Sequence, residues 1–291
     1  MWFTHILYLT ICVTPITVYG SNILFYFGVG SYSHRISVWP LAEALANKGH
    51  QVTFFFTQEP KTTHPNITEF GPKNMTDFAD RMDMKSIDVI SMRIEHGADM
   101  MKQAWKKFMG IGIKQCQVIL TDTKVVDWIE KSNFDLLIIN ALFNDCALGL
   151  AHKFRAPFIL FGTTAPFMWL PDDFGFLDES SYLPDLQMAY HFDMSFPTRV
   201  LNAVRPLVWQ GLKHWFMFPA IESLFTEQLK MEDFPPLAEI QRNASLVFLN
   251  RHAPDDVARS LPPIMVPIAG MHITENANPL SQVRMPNNNE N

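Results

Sequence analysis

Two apolar runs, Asn22 to Phe27 and Gln51 to Thr57, flank a stretch with helical periodicity, and that order leaves few folds open. The first run does not alternate polar with apolar residues, so it suits a strand buried on both faces of a parallel sheet. Gly28 and Gly30 follow at once and permit a sharp exit from the strand. From Ser37 to Lys48, Trp39, Ala42, Leu45 and Ala46 recur at helical spacing, and Gly49 is a natural helix stop. Pro40 reads as a first-turn proline, the position where its missing N–H costs nothing. Strand, helix and strand in this order make a βαβ unit. In open α/β folds ligands gather at the carboxyl edge of the sheet, where the first loop of such a unit lies.

His34 stands in that loop, at or just before a helix start. The positive end of a helix disfavours imidazolium, so the ring is expected to be neutral and able to act as a general base. A hydrogen-bonded loop histidine without chemistry is the competing reading.

The βαβ rhythm recurs downstream. Residues 58–83 read as a long polar connection and 86–131 as helices, with Met92, Ile94, Met100, Met101, Trp105 and Phe108 as an apolar lining. Such a lining is ordinary core, or else an adaptable pocket wall for apolar small molecules. Ser33, Met101 and Trp105 are the candidate acceptor-binding residues. Strands are expected at Phe134 to Asn140, Pro157 to Gly162, Ser245 to Asn250 and Ile264 to Ala269, with a helix from Asp145 to Phe154. The expected fold is a Rossmann-like, doubly wound parallel α/β sheet. Residues 165–197 read as an irregular excursion. The aromatic stretch after it reads as helical pieces packed on the domain. Its alternative is peripheral contact with a membrane surface through Trp209, Trp215, Phe216 and Phe218, with Lys213 and His214 at headgroup level.

Residues 1–20 hold an apolar core and end in Val18-Tyr19-Gly20, as a cleaved signal peptide does. The domain is then expected over 21–275, with a polar, disordered tail over 276–291. No later stretch supplies about eighteen uninterrupted apolar residues, so no transmembrane helix is expected in the mature chain. A net charge of −6 and the lack of a basic run argue against nucleic acid as a partner. Cys116 and Cys146 either pair in an oxidising lumen or are buried thiols, and the reading favours thiols. Neither cysteine has metal-site spacing, so no metal is expected. Asn66, Asn74 and Asn243 open glycosylation sequons, which matter only in the secretory pathway.

Five segments, in order, are similar to the amino-terminal half of the animal membrane-associated UDP-glycosyltransferases, the family of the glucuronosyltransferases. They are GSYSHRISVWPLAEALANKGHQVT, FDLLIINALFNDCALGLAHKFRAPFI, SSYLPDLQMAYHFDMSFPTRVLN, ASLVFLNRHAP and VPIAGMHI. The resemblance implies the amino-terminal, acceptor-binding half of a GT-B fold. It implies inverting hexosyl transfer from a UDP-sugar, the co-substrate, to a hydroxyl of a small lipophilic acceptor, with His34 as general base and no further cofactor. It also implies residence in the endoplasmic reticulum lumen or secretion, and hetero-oligomers with full-length relatives as possible partners.

Two departures bear on that chemistry. Asn140 stands where the family has an aspartate that orients the histidine, and an amide cannot neutralise the imidazolium. Asp145, five residues on, is the candidate substitute. The carboxy-terminal UDP-sugar domain, with its His-Gly-Gly loop, is expected to be absent from this chain, which points to a truncated form weak or inactive alone. A non-catalytic lipophile-binding or regulatory partner of full-length relatives is the alternative. A dinucleotide-binding domain is a third option, from Gly28-x-Gly30 and Glu59, but Ser33 replaces the third glycine of that fingerprint.

Overall fold

The computed structural model describes residues 20–56, 64–81, 100–164, 166, 169–176, 179–185, 192–252 and 258–273. The expected signal peptide, Glu59, the Met92 and Ile94 portion of the apolar lining and the tail lie outside the described residues, as do the side chains of 100–109.

Strand β1 (Asn22–Phe27) leads into helix α1 (Tyr32–Asn47) and returns as β2 (Gln51–Phe56). The strands β3 (Ile67–Phe70), β4 (Leu136–Asn140), β5 (Phe158–Gly162), β6 (Leu246–Leu249) and β7 (Met265–Pro267) complete a sheet in the order β3-β2-β1-β4-β5-β6-β7. Every pairing within it is parallel, as the unbroken apolar runs require. Leu24 and Tyr26 of β1 face one hydrophobic core, and Ile23, Phe25 and Phe27 face the other. The strand order reverses between β1 and β4, which sets the exits of these two strands side by side at the carboxyl edge of the sheet, where open α/β folds place their ligands.

The first helix begins earlier than its apolar spacing suggested. Ser31 is extended and its carbonyl accepts from the N–H groups of His34, at 3.0 Å, and Arg35, at 3.4 Å, so the polar residues Tyr32, Ser33 and His34 form the first turn. Periodicity counted from apolar positions cannot register such a turn. Pro40 therefore lies inside the helix, where it deletes the bond to the carbonyl of Ile36, and not in the first turn. The buried face of α1 also carries a charge. Arg35, 4% exposed, pairs with Glu69 of the edge strand at 2.9 Å and lies 4.2 Å over the Trp39 ring.

The connection expected over 58–83 contains β3 and helix α2 (Lys73–Arg81). Edge strands need no continuous apolar run, and β3 is only half buried. Helices α3 (Met100–Thr121) and α4 (Thr123–Lys131) precede β4, and α5 (Cys146–Phe154) follows it. Within the excursion over 165–197, residues Trp169–Asp172 make one helical turn, α6.

Cys116 of α3 and Cys146, the first residue of α5, form a disulfide, contrary to the expected thiols. They are 30 residues apart, and such a pairing is a property of the fold that spacing does not reveal.

The aromatic stretch forms α7 (Phe196–Leu212), a π-helical turn (Lys213–Met217) and α8 (Phe218–Leu229), followed by α9 (Leu237–Arg242). Trp209, Lys213 and Phe218 are buried, so they cannot serve the membrane contact drawn from the sequence, while Trp215 and Phe216 are exposed. No helix among the described residues is long and apolar enough to cross a membrane.

Gly149 on α5 is held against the tip of the Phe225 ring of α8, and a methyl group there would overlap three ring atoms. Gly149→Ala is expected to lower stability by about 1–3 kcal/mol, despite alanine's better helix propensity, because two packed helices must separate. Denaturant titration checks this, with Phe225→Leu added to recover part of the loss. An unchanged midpoint in the single variant would contradict the close approach.

Candidate functional site

The site is assembled by two strand exits that meet at the switch point. The exit of β1 is Gly28-Val29-Gly30-Ser31, and its tightness has a steric reason at two positions. A side chain on Gly28 would collide with the amide of Gln115. On Gly30, a Cβ would sit 3.3 Å from the Cβ of His34, 3.4 Å from its Nδ1 and 3.5 Å from Nδ2 of Asn140. Only the first of these is tight, so a side chain at 30 would press on His34 by a few tenths of an ångström.

The exit of β4 is Asn140 to Asn144. Phe143 holds a left-handed backbone, φ 54°, which is costly for a bulky residue and persists only when its surroundings enforce it. Its ring packs edge-on against Trp209 at 5.8 Å, and the disulfide at Cys146 anchors the chain three residues on. The turn swings the side chain of Asn144 back beneath the β1 exit. Its Oδ1 accepts from the Val29 N–H at 2.6 Å and from Gln115 Nε2 at 3.2 Å, while its Nδ2 donates to the carbonyls of Val29, at 3.0 Å, and Leu142, at 2.6 Å.

Asn140 completes the arrangement. Its Nδ2 donates to the Val29 carbonyl at 2.8 Å and lies 3.0 Å from Nδ1 of His34, and its Oδ1 accepts from the Leu142 N–H at 3.3 Å. Both amide hydrogens and the amide oxygen are therefore used. Reversing the amide would set oxygen against the Val29 carbonyl and NH₂ against the Leu142 N–H, so these neighbours fix its direction. Nδ1 of His34 consequently accepts a hydrogen bond, and the ring proton resides on Nε2. Among the described residues nothing bonds Nε2, which reaches solvent. Burial lowers the His34 pKa from 6.5 to about 4, and a proton on Nδ1 would also face the amide donor. The ring is neutral at ordinary pH, as expected from the sequence.

Asp145 occupies the position just before α5 without a side-chain bond to the helix, and it faces Lys213. Its carboxylate lies 3.9 Å from Lys213 Nζ and makes no hydrogen bond to His34 among the described residues. Its pKa is raised, chiefly by burial, with Lys213 acting in the opposite sense. Lys213 is bonded to Asp173 at 2.9 Å and Gln241 at 2.8 Å, and Gln210 and Gln241 both donate to Asp173. This buried network pins the π-helical turn to α9 and ends beneath the β4 exit.

Ser33 is exposed beside His34, where its hydroxyl meets that of Ser31 at 2.6 Å. Met101 and Trp105 lie on α3, with side chains outside the described residues. Asn74 and Asn243 are exposed, while the Asn66 amide donates to the Ala46 carbonyl at 3.1 Å. No cluster of three or more metal-ligating side chains occurs among the described residues. The Val29 N–H is already taken by Asn144, which leaves the β1 exit a poor phosphate cradle and weakens the dinucleotide reading. Asn144, Gln115 and Asp173 were not singled out from the sequence, and Lys213 was read only as a membrane-surface contact. Each is polar, and only burial reveals its role.

A parallel sheet of this order, with helices in its crossovers and a reversal between β1 and β4, defines an α/β domain of Rossmann type. Residues 27–287 match the model of the family described as UDP-glucoronosyl and UDP-glucosyl transferase, and the chain belongs to that family. It is 26% identical over 261 residues to UDP-glucosyltransferase 2 of Dactylopius coccus, covering 88% of this chain and 48% of that protein. It is also 26% identical to human UDP-glucuronosyltransferase 3A1, covering 82% of this chain and 46% of that one. The chain thus spans about half the length of the curated relatives it matches. Among solved structures it is similar to the calicheamicin glycosyltransferase CalG4, with 12% identity over 79% of this chain and 48% of that one and a TM-score of 0.40.

The His34 shift has a measurable consequence. Its folded-state pKa lies below the unfolded value, so between the two the unfolded chain holds more protons and stability falls as pH drops from 6.5 toward about 4. His34→Gln should flatten that limb by at most about 1.4 kcal/mol per pH unit in urea titrations across the window. Parallel curves for the two proteins would contradict a buried, neutral His34.

Proposed function

We propose that this chain supplies the acceptor-binding side of a UDP-glycosyltransferase, in which a hexosyl group passes from a UDP-sugar to a hydroxyl of a small lipophilic acceptor with inversion. The observation that carries the reading is the pairing of His34 with the residue ending β4, at 3.0 Å, at the switch point of the sheet. Family membership supports it independently. In this reading His34 stands in the general-base position. A base must present an unprotonated nitrogen to the hydroxyl, take its proton as the oxygen attacks the anomeric carbon, and carry positive charge through the transition state. A carboxylate partner favours all three. An amide favours none, since its N–H donates to the lone pair of Nδ1, leaves the proton on Nε2 and cannot balance the cation.

That same amide favours a second reading, a non-catalytic lipophile-binding or regulatory partner of full-length relatives. The two readings separate when the domain is joined to the UDP-sugar domain of a full-length relative. If the first holds, Asn140→Asp raises turnover per folded molecule, by up to the ~10⁴-fold that an orienting carboxylate contributes elsewhere, and His34→Ala removes the gain. The carboxylate would also face the Val29 carbonyl, so the variant should be less stable by about 1–3 kcal/mol, and activity is normalised to folded protein. Equal turnover with either residue at 140, or activity that survives His34→Ala, would contradict the first reading.

A further inference from the structure

The geometry points to a specific ligand chemistry at this site: Asn140 acts as a positioning residue that locks His34 as an outward hydrogen-bond donor, so the site selects lipophilic ligands that present a bare acceptor atom, a carbonyl oxygen or an aromatic ring nitrogen. The choice of ligand class rests on the reading of the switch point as an acceptor-molecule site, whereas the lock itself rests only on the hydrogen bonds.

The lock has three parts. The Val29 carbonyl takes one amide hydrogen of Asn140 at 2.8 Å, the Leu142 N–H takes the amide oxygen at 3.3 Å, and the remaining hydrogen is left for Nδ1 of His34 at 3.0 Å. Val29 is itself immobilised, since Asn144 binds its N–H at 2.6 Å and its carbonyl at 3.0 Å. Asn140 and Asn144 are each 1% exposed, so water cannot replace a bond that is lost. Changing the tautomer would require the Asn140 amide to rotate against both neighbours. The opposite nitrogen, Nε2, carries the ring proton and has no partner among the described residues. A hydroxyl docking there receives a hydrogen bond through its oxygen and keeps its own proton. A carbonyl or pyridine-type nitrogen fits the donor fully, whereas a group that only donates meets an N–H and is rejected.

Heteronuclear NMR on the intact chain labelled with ¹⁵N-histidine tests both halves. At neutral pH the His34 spectrum is expected to show a protonated Nε2 and a bare Nδ1. Quinoline, an acceptor-only probe, should shift the Nε2 signal and bind about tenfold more tightly than indole, a donor-only probe of similar size. Asn140→Asp should move the proton to Nδ1, raise the histidine pKa and reverse the preference. Should that variant fail to fold, Asn140→Ala serves instead, and its mixed tautomers should bind the two probes alike. A protonated Nδ1 in the unaltered chain would overturn the lock. An intact Nε2–H with neither probe bound would overturn the ligand class, and with it the acceptor-site reading, while leaving the lock standing. A merely structural Asn140 would change stability on substitution without moving the tautomer, and that result too would overturn the proposal.

Discussion

One residue's backbone, that of Val29, holds the site together. It leaves β1 in a tight exit with both its N–H and its carbonyl removed from water, and the groups that satisfy them come from the exit of β4. Buried backbone polar groups must be paired, and here the pairing is across the reversal in strand order, where no ladder partner is available. The buried amides of Asn140 and Asn144 meet that need. Everything else at the site follows from how those amides are used up. Asn144 spends all its capacity on the loop and on Gln115, and Asn140 has one hydrogen left, which goes to His34.

The chain therefore makes a structural use of position 140, where the resemblance to the glycosyltransferases implies an orienting carboxylate. A carboxylate at 140 would press an oxygen on the Val29 carbonyl and would have no hydrogen for Nδ1, so the exit loop and the amide are matched to each other. Asp145 is not a ready substitute. It belongs electrostatically to Lys213 and Asp173, a buried group that stabilises the π-helical turn and offers His34 nothing.

Most of the sheet was legible in the sequence because buried parallel strands are the one element that needs unbroken apolar runs. Strands β1, β2, β4 and β5 stood out for that reason, and the neutrality and location of His34 followed from them. The half-buried edge strand β3 carried no such signal and was taken for loop. The polar first turn of α1 escaped because hydrophobic spacing marks only the apolar part of the face toward the core, and a buried cation such as Arg35 leaves no mark in it. The disulfide was only the less favoured of two alternatives, and the Asn144 clamp was not foreseen, for a different reason. Each joins residues 30 or more apart through the fold, and local pattern holds no record of such a meeting. The pairing of position 140 with His34 was anticipated only through resemblance. Which hydrogen faces which lone pair required the positions of Val29 and Leu142.

Neutron diffraction from a deuterium-exchanged crystal of this chain tests the central claim most directly, because it sees the protons on which the claim turns. The account predicts a deuteron on Nε2 of His34, none on Nδ1, and the two amide deuterons of Asn140 directed at the Val29 carbonyl and at Nδ1. A deuteron on Nδ1, with the Asn140 oxygen turned to receive it, would contradict the account and return His34 to the posture of a general base.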